Sequence, residues 1–405
     1  MIKIFNSRRE KLATEMQSGD LVVIFANEMP SMPVSFLQDK NFYYLTGLEI
    51  PKAIFLLEKI NNKSVSHLFI ERGIPEMEVW EGKKMTVEEA RELTGIESVQ
   101  YLDRFNNFIS AKLPNMERLL VNIEHLNIDD VLDKRAKFAQ NARERFIHLT
   151  FQPVTNLMKN LRMIKDEWEI EQLSKAIEIT ERGIRHIYSQ SKAGDNEAKL
   201  QAMLHYEAIA ANAKHMGFSA IIAGGGNATT LHYGENNCDI DENSLVLLDV
   251  GAAWNNYSAD ISRTFPISGK FTPRQKEVYA AVLAVQKEII EMVKPGVTMQ
   301  ELNSKTNELI IKELKNLGLI KENSEFRTYY MHSIGHHLGL DTHDLADRTK
   351  PLTAGCVITV EPGIYIKEEK IGVRIEDDIL VTENGYRILS KSIPKEIEEL
   401  EELCK

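Results

Sequence analysis

The sequence has 405 residues, 43% of them hydrophobic and 27% charged, which is typical of a folded protein with more than one core. Its net charge of −11 argues against a nucleic acid or an anionic membrane as partner, because both bind basic surfaces. The three cysteines lack CxxC spacing, which excludes a cysteine-type zinc site and fits a reducing cytosol.

The N-terminal stretch MIKIFNSRREKL has no extended apolar segment of the kind found in signal peptides. No later stretch approaches the roughly 20 apolar residues that a membrane-spanning helix needs. We therefore expect a cytoplasmic protein without a membrane partner.

The first part of the chain mixes helix signals with short apolar runs. Ser7 and Glu10 have the spacing of a capping box, which predicts that a first helix begins there, and Thr86 and Glu89 predict another helix start. The apolar runs have strand length: LVVIF (21–25), AIFLL (53–57), HLFI (67–70) and LLVNI (119–123). This mixture predicts an α/β domain that ends near residue 155, with FQPVTNLM as a connector.

The remainder of the chain has longer helical patterns. Apolar residues recur at helical spacing from Asp166 to about Tyr188, which predicts a long amphipathic helix. Further helices are predicted at about 195–215, 273–293 and 299–317, and in the tail KEIEELEELCK. Paired strands are predicted in stretches rich in Val and Ile: SLVLLDV, YSADISRTFPI, CVITVEPGIYI and IGVRIEDDILVT. Helices interleaved with paired strands predict an α+β domain.

These strand-like stretches carry acids in apolar surroundings, namely Asp249, Asp260, Glu361 and Glu376. A single acid after an apolar run more often faces water at a strand end. An unpaired buried carboxylate is costly, and four that converge would repel one another until some took up protons. If the four are buried together, either basic partners or metal ions must neutralise them.

Spacing favours metal ions over basic partners. Arg263 and Arg374 are the only cations close in sequence, so the acids outnumber them, whereas two divalent ions would balance four carboxylates. The acids fall in two pairs, each on strands joined by a short connection, and antiparallel neighbours place side chains of one face next to one another. Two such pairs would supply a four-carboxylate cage.

The segment HSIGHHLGLDTHD adds four histidines, at positions 332, 336, 337 and 343. The cluster alone does not identify which of them binds a metal. The three glycines at 224–226 lack both the GK[ST] continuation and the GxGxxG spacing of phosphate-binding loops. They are predicted to form a flexible turn near His232.

Five segments resemble, in order, the metal-ligand motifs of pita-bread metallopeptidases: LLDVGA, SADISRTFP, HSIGHHLGLDTHD, ITVEPGIYI and GVRIEDD. MIKDEWEIE, LHYGENN and the N-terminal FLQDKNFYYLTGLEIPKAIFLL are similar to the aminopeptidase P and prolidase branch of that family. The likeness spans nearly the whole chain. It implies a creatinase-like α/β N-terminal domain over residues 1–155, followed by an α+β pita-bread catalytic domain over residues 156–405.

The resemblance also implies the metal ligands, which would be Asp249, Asp260, His336, Glu361 and Glu376. Asp260 and Glu376 would bridge two ions, Asp249 would complete one coordination sphere, and His336 with Glu361 would complete the other. A carboxylate-rich site with one imidazole suits Mn²⁺ and would also accept Co²⁺ or Zn²⁺. Such ions lower the pKa of bound water and stabilise the oxyanion formed when a carbonyl is attacked.

Other residues are assigned to the substrate by the same resemblance. His232 and His343 would donate hydrogen bonds to the substrate or to the tetrahedral intermediate, and His332 would support the pocket wall. Glu361 is the best candidate to accept the proton of water and return it to the leaving nitrogen. Tyr365, two residues beyond EPG, would also reach the site.

Two residues of these motifs have alternative interpretations. Arg374 would bind a substrate carboxylate or orient an acidic residue, and a purely structural salt bridge is equally compatible with the sequence. His337 is predicted to be structural. Its neighbour points into the site, and successive side chains of an extended chain point apart.

The function implied is that of a cytoplasmic Xaa-Pro aminopeptidase, which releases the first residue from peptides with proline in second position. The nearest alternative is a prolidase, restricted to X-Pro dipeptides. A metal-free pita-bread binding protein or creatinase-like hydrolase would have lost ligand positions, whereas all five persist here. The resemblance also implies a homodimer. Leu37 and Asn41 stand where many relatives have an arginine and an aspartate, so substrate contacts from that segment are not carried over.

Overall fold

The computed structural model describes residues 2–30, 35–123, 127 and 129–404. The chain divides into two compact units, Met1–Leu161 and Arg162–Lys405. The division between the two units falls inside the helix Thr155–Met163, between Leu161 and Arg162. The boundary predicted from the sequence, at residue 155, lies at the start of the same helix. None of the helices in the described part of the chain combines the length and the apolar character that a bilayer crossing requires.

The first unit contains a mixed sheet of six described strands. They are β1 (Asp20–Phe25), β2 (Ile54–Ile60), β3 (Lys63–Ile70), β4 (Ser98–Tyr101), β5 (Arg118–Val121) and β6 (Thr150–Pro153). Their order is β4-β3-β2-β1-β5-β6, with β1 antiparallel to β2 and parallel to β5. All residues of β1 are buried, as expected of a central strand. Each apolar run predicted as a strand overlaps one member of this sheet.

Helices accompany this sheet. They are α1 (Ile2–Glu15), α2 (Lys40–Thr46), α3 (Glu78–Glu81), α4 (Val87–Thr94), α5 (Phe105–Lys112), α6 (Lys134–Arg145) and α7 (Thr155–Met163), with short 3-10 helices at Pro75–Met77, Leu102–Arg104 and Leu113–Asn115. Phe105 of α5 and Ala142 of α6 pack with Val23 of β1 in one core. Burial of these apolar faces, rather than helix propensity, holds such short helices in place.

One of the two predicted capping boxes is confirmed and the other is wrong. The Thr86 side chain accepts a hydrogen bond from the Glu89 N–H, and Glu89 returns one by accepting from the Thr86 N–H, so that α4 begins there. The pattern at Ser7 lies inside α1, which already begins at Ile2. Glu10 instead accepts a hydrogen bond from the Asn6 side chain, 2.8 Å away and one turn earlier. Residue spacing alone cannot distinguish a cap from a pair on the helix surface.

The predicted connector FQPVTNLM is also wrong. Its first residues belong to β6, which pairs in parallel with β5 at the edge of the sheet, and α7 follows almost at once. Pro153 gave the segment the appearance of a loop. An edge strand tolerates proline because one side of its backbone has no partner to hydrogen-bond.

The second unit consists of short antiparallel sheets. Their strands are β7 (His215–Met216), β8 (Ile221–Gly224), β9 (Leu245–Val250), β10 (Ala252–Trp254), β11 (Tyr257–Ser258), β12 (Ile261–Pro266), β13 (Val357–Val360), β14 (Gly363–Ile366), β15 (Ile371–Arg374), β16 (Asp377–Thr382) and β17 (Gly385–Ile388). The sheet orders are β11-β10-β7, β12-β9-β8, β13-β16-β17 and β14-β15. The predicted paired strands are confirmed in each of the four stretches.

The helices of this unit pack on the sheets. They are α8 (Glu167–Gln190), α9 (Glu197–Ala210), α10 (Pro273–Met292), α11 (Met299–Asn316) and α12 (Ile397–Leu403), with 3-10 helices at Gly225–Thr229 and Asn323–Thr328. Ile177 of α8 and Val282 of α10 share one core with Val246 of β9 and Ile358 of β13. This architecture confirms the predicted α+β pita-bread class, including the four predicted helices and the terminal one.

Candidate metal centre

The first pair of acids comes from the β9 and β12 strands. These strands pair antiparallel with Asp249 opposite Ser262, and Asp260 directly precedes β12. Asp249 therefore lies near the end of a buried strand, and Asp260 lies just before the strand that pairs with it. The predicted antiparallel pairing is confirmed, but the predicted short turn between the two strands is wrong, because the strands β10 and β11 lie between them.

The second pair flanks the β14–β15 hairpin. Glu361 lies just before β14 and Glu376 just after β15, and the hairpin pairs Gly363 with Arg374. The Glu376 N–H donates to the Ser262 carbonyl oxygen at 3.0 Å. This backbone bond fixes the second pair of acids against the strand β12 that follows Asp260.

His336 is delivered by a loop that runs along β13. Its N–H donates to the Thr359 hydroxyl at 3.1 Å, and its carbonyl oxygen accepts from the Thr359 N–H at 2.9 Å. A Cβ atom on Gly335 would lie only 2.1 Å from the Thr359 carbonyl oxygen. Only glycine permits this approach, so Gly335 sets the distance at which His336 meets the strand.

All five predicted ligands line one cavity of about 550 Å³: Asp249, Asp260, His336, Glu361 and Glu376. Asp260, His336 and Glu376 each offer a ligand atom within 4.8 Å of the other two. His336 Nε2 lies 3.3 Å from Asp260 Oδ2 and 3.6 Å from Glu361 Oε1.

The electrostatics of the cavity favour a cation. Burial raises the pKa of Asp260 well above its usual range, and the Asp249 charge adds to the shift. Burial also raises the pKa of Glu376, with Asp260 adding to it, and brings the pKa of Glu361 to about 7. Asp249 Oδ1 is buried without a hydrogen-bond partner among the described atoms. A divalent cation favours the charged form of a nearby carboxylate, and hard cations prefer oxygen ligands, so these residues fit a metal site.

Arg374 lines the same cavity as the acids and is only 4% exposed. Its Nη2 is 2.7 Å from Asp249 Oδ2, and its Nε donates to the Ser262 hydroxyl at 2.8 Å. Ser262 in turn donates to Glu376 Oε2 at 2.8 Å. The guanidinium therefore touches one acid directly and a second through a hydroxyl, which matches the alternative in which Arg374 orients an acidic residue.

Tyr365 contacts two of the predicted site residues through its hydroxyl group. Its hydroxyl accepts a hydrogen bond from Arg374 Nη1 at 3.0 Å and lies 2.8 Å from His332 Nε2. The side chain is buried and is not among those that line the cavity, and burial raises its pKa to about 12. The predicted direct contact with substrate stays a prediction.

The histidines divide between the cavity and the protein interior. His232, His332 and His343 line the cavity with His336, and the His343 ring lies 4.0 Å from the His336 ring, centroid to centroid. His337 is only 3% exposed, does not line the cavity and forms a β-bridge with Ile358. Burial lowers the pKa of His337 to about 4, which keeps it neutral. This placement agrees with the structural role predicted for His337.

A buried ion cluster behind the histidine loop was missed in the sequence. Arg162 and Lys165 both contact Asp344, with 3.0 Å between Lys165 Nζ and Asp344 Oδ2. The Asp344 N–H donates to the His337 carbonyl oxygen at 2.9 Å, so the cluster fixes the loop that carries His343. The only sequence signal was an acid beside His343, because its two cations lie far away in the chain.

Asp378 was also missed. Its Oδ2 accepts a hydrogen bond from the Asp260 N–H at 3.2 Å, and the side chain is fully buried. Burial raises the pKa of Asp378, with Asp260 adding to the shift. It lies beneath the cavity, where it fixes the backbone of a predicted ligand.

The glycines at 224–226 form the end of β8 and the start of a 3-10 helix. Gly225 has φ of +55°, which favours glycine. The Gly224 N–H donates to the Glu197 carboxylate at 2.8 Å. The donor that a phosphate loop would present to a ligand is therefore used inside the protein.

Comparison with known families gives two matches along the chain. Residues 171–383 match metallopeptidase family M24, and residues 5–121 match the N-terminal domain of aminopeptidase P. Together they cover the segment that delivers the cavity acids and most of the first unit.

Individual proteins are similar over nearly the full length. Human Xaa-Pro aminopeptidase 3 is 35% identical, covering 98% of this chain and 85% of its own. The Xaa-Pro aminopeptidase of Haemophilus influenzae is 32% identical, covering 98% and 96%. A solved structure of Escherichia coli aminopeptidase P with the inhibitor Pro-Leu superimposes with a TM-score of 0.92 at 29% identity, covering 100% and 98%.

Proposed function

Since the chain belongs to metallopeptidase family M24 as a metal-dependent Xaa-Pro aminopeptidase, we propose which of its residues hold the metal and handle the peptide. One observation carries the proposal. Four acids and one histidine from separate strands and a loop line a single cavity, and burial with mutual repulsion raises the pKa of three of those acids.

The cavity would hold two divalent ions, with Mn²⁺ preferred over Co²⁺ or Zn²⁺. Asp260 and Glu376 would be shared, Asp249 would complete one set of ligands, and His336 with Glu361 would complete the other. The preference rests on the donor set, because carboxylate oxygens outnumber the single imidazole nitrogen. Once bound, the ions would lower the pKa of a water molecule and stabilise the negative charge that develops on the scissile carbonyl oxygen.

Glu361 would carry the proton. Its carboxylate lines the cavity and lies 3.6 Å from Nε2 of His336, which is a proposed metal ligand. The nitrogen released from an X-Pro bond is a tertiary amide nitrogen, which needs a proton before it can leave as an amine. A carboxylate that takes a proton from the attacking water and passes it to this nitrogen activates the water and also protonates the leaving group.

His232 and His343 would donate hydrogen bonds to the substrate carbonyl or to the oxyanion. Both line the cavity, and neither side chain has a hydrogen-bond partner among the described residues. His332 would shape the wall, because its ring is held by the Tyr365 hydroxyl and by the Ser333 carbonyl oxygen at 2.8 Å. Arg374 would keep Asp249 oriented rather than bind substrate, since its guanidinium contacts Asp249, Ser262 and Tyr365.

We also propose that the protein is a cytoplasmic homodimer acting on peptides with proline in second position. The three cysteines are all free, which fits a reducing compartment. The dimer rests on the resemblance to the aminopeptidase P branch. Light scattering coupled to size exclusion would measure its mass, and a monomer at working concentration would contradict this part of the proposal.

The deciding experiment compares Gly-Pro with a matched X-Pro-Y tripeptide. The metal-stripped protein is resupplied separately with Mn²⁺, Co²⁺ or Zn²⁺, and release of the first residue is measured. We expect cleavage of the tripeptide with Mn²⁺ giving the highest rate. Cleavage of the dipeptide alone would make the substrate that of a prolidase, and absence of cleavage with every metal would refute the assignment of the cavity.

A matched pair of variants localises the activity. Glu361→Gln removes the proposed proton carrier, and Glu368→Gln makes the same chemical change at an exposed position on the nearby β14–β15 connection. We expect the first to lose activity and the second to retain it. Equal activities in the two variants would remove Glu361 from the mechanism.

A further inference from the structure

Glu197 is a fully buried carboxylate to which the proposed mechanism gives no role. It is the first residue of α9, a position where glutamate normally faces solvent, yet its exposed fraction is 0%. Its carboxylate lies outside the set that lines the cavity. A buried charge in this position needs an explanation, because leaving water is costly unless several partners replace it.

The partners of Glu197 all come from one segment, residues 224–238. Four donors reach its carboxylate: Gly224 N at 2.8 Å and Asn227 Nδ2 at 2.9 Å on Oε1, with Tyr233 OH at 2.7 Å and Cys238 N at 3.0 Å on Oε2. The Glu197 N–H also donates to the Cys238 carbonyl oxygen at 2.9 Å. The contacts therefore hold both ends of the segment and two residues between them.

That segment carries four consecutive residues of the cavity, at positions 231–234. His232 precedes Tyr233, and both line the cavity. Between the 3-10 helix and residue 240 the segment has no extended strand, and most of its backbone is irregular. Tertiary contacts must therefore fix its course, and Glu197 supplies contacts before and after His232.

We infer that Glu197 is a positioning residue for His232. It clamps the segment 224–238 so that the imidazole stays in the cavity, and this inference rests on the hydrogen-bonding role proposed above for His232. Glu197 does not touch the substrate. It acts through the Tyr233 hydroxyl and through the backbone on both sides of the histidine.

The chemistry of the clamp requires a carboxylate. Each of the two oxygens accepts from two donors, and none of the four partners is an acceptor at that contact. A glutamine has the same size but only one accepting oxygen, so on either side its amide would place an N–H group against a backbone N–H, which can only donate. Glu197→Gln therefore removes at least one backbone contact of the clamp, together with the negative charge, without leaving a cavity.

The test uses the metal-loaded full chain and an X-Pro-Y peptide. Glu197→Gln is compared with Glu235→Gln, the same change at an exposed position of the same segment. We expect Glu197→Gln to lower kcat roughly tenfold, since hydrogen bonds to a charged group are lost, with KM changed about twofold at most. Glu235→Gln should match the unaltered chain. Equal activity of Glu197→Gln and the unaltered chain would overturn the inference.

Two further readouts separate positioning from general destabilisation. If Glu197 acts through His232, then Glu197→Gln in a His232→Ala background should change kcat by about twofold or less. Backbone hydrogen exchange of residues 225–238 should be faster in Glu197→Gln than in Glu235→Gln. A full additional loss in the His232→Ala background, or unchanged exchange, would overturn the inference, as would a His232→Ala variant with unaltered activity.

Asn227→Ala provides a second route if Glu197→Gln fails to fold. It removes one donor and leaves the carboxylate with three, so we expect faster exchange of the segment and a kcat lowered by about twofold to threefold. Unchanged exchange in this variant would contradict the clamp. Exchange reports on the clamp without catalysis, so a chain that cleaves no peptide would refute the proposed function while leaving this test intact.

Discussion

Glu376 and Asp377 are consecutive acids, both buried, with opposite surroundings. Glu376 faces the cavity, where burial and the charge of Asp260 raise its pKa. Asp377 faces away and contacts Arg263 at 2.8 Å and Lys395. Burial alone would raise the pKa of Asp377, but these two cations hold it below its usual range.

The difference follows from strand geometry. Successive side chains of an extended chain point to opposite faces, so a single step along the chain separates two electrostatic environments. On one face two cations balance a single acid, and on the other four acids share one cation, Arg374, which contacts Asp249. A buried acid matched by basic partners is structural, whereas a converging set of acids that outnumbers its basic partners is a candidate binding site.

Glu376→Gln should give the largest effect on the cavity side. Loss of a shared ligand is expected to lower kcat by about a thousandfold or more, because several kcal/mol of charge stabilisation disappear. The metal-stripped variant should be no less stable than the metal-stripped parent, since one repelling charge has been removed. Steady-state kinetics and thermal unfolding measure the two effects, with the exposed Glu368→Gln as control. The contrast between the two faces would be contradicted if the variant kept its activity. It would also be contradicted if the metal-stripped variant unfolded more readily than the metal-stripped parent.

Asp377→Asn should give the opposite pattern. It leaves Arg263 buried with an incomplete set of partners, so the free energy of unfolding should fall by about 3–5 kcal/mol. Urea unfolding of the metal-stripped protein measures this, with Asp241→Asn as a change of the same kind at an exposed site. If Asp377→Asn lowered the free energy of unfolding no more than the control does, the contrast between Asp377 and Glu376 would be contradicted.

Arg374→Gln sharpens the comparison, because Arg374 is a cation that does contact the cavity acids. Without its contact to Asp249, the affinity for Mn²⁺ should fall about 10–100-fold, as for other residues that orient metal ligands. Titration calorimetry measures the affinity, and Arg387→Gln on the exposed side of β17 is the control. If Arg374→Gln bound Mn²⁺ more tightly, repulsion between the guanidinium and the ion would outweigh orientation.

The pH dependence of stability should give the smallest effect. In the metal-stripped protein the folded state binds more protons than the unfolded state, because the pKa of Glu361 is raised to about 7 and those of Asp260 and Glu376 are raised as well. The free energy of unfolding should therefore rise, by on the order of 1–3 kcal/mol, as the pH falls from about 9 to 7.

Below about pH 6.5 the rise should become shallower. His332 and His337 have a lowered pKa of about 4 when folded, so the unfolded chain takes up protons there first and offsets part of the excess held by the three cavity acids. Chemical unfolding across this range measures both limbs. Glu376→Gln should flatten the upper limb, and an upper limb of unchanged slope would mean that the cavity acids do not cause it.

The sequence located the cavity because acids in apolar strands are rare enough to stand out. Asp249, Asp260, Glu361 and Glu376 could be paired from local spacing alone, since the members of each pair lie close together in the sequence. Choosing His336 among four histidines needed the family motifs. Helices such as α8 were recovered because 24 residues of periodic pattern leave little ambiguity.

What the sequence could not reveal were contacts between distant residues. The partner of Arg374 depends on how two hairpins meet, and the burial of Glu197 depends on a segment that folds back onto α9. Within the sequence IEDD nothing distinguishes Asp377 from Glu376. The two cations that contact Asp377 come from distant segments, Arg263 from β12 and Lys395 from the residues before α12. The misplaced helix start at Ser7 has the same origin, because a local pattern was interpreted without knowing what preceded it.

Asp260 and Glu376 offer ligand atoms close enough to share one ion. In the sequence they are far apart, because α10 and α11 lie between them. A cation held by both would close that long loop as a covalent cross-link does, a constraint worth about 4–5 kcal/mol by chain-entropy reasoning. All three cysteines are free, so no disulfide supplies such a constraint. Scarcity of the metal would then shorten the lifetime of the protein as well as stop its chemistry, because the stripped chain would open to proteases more often.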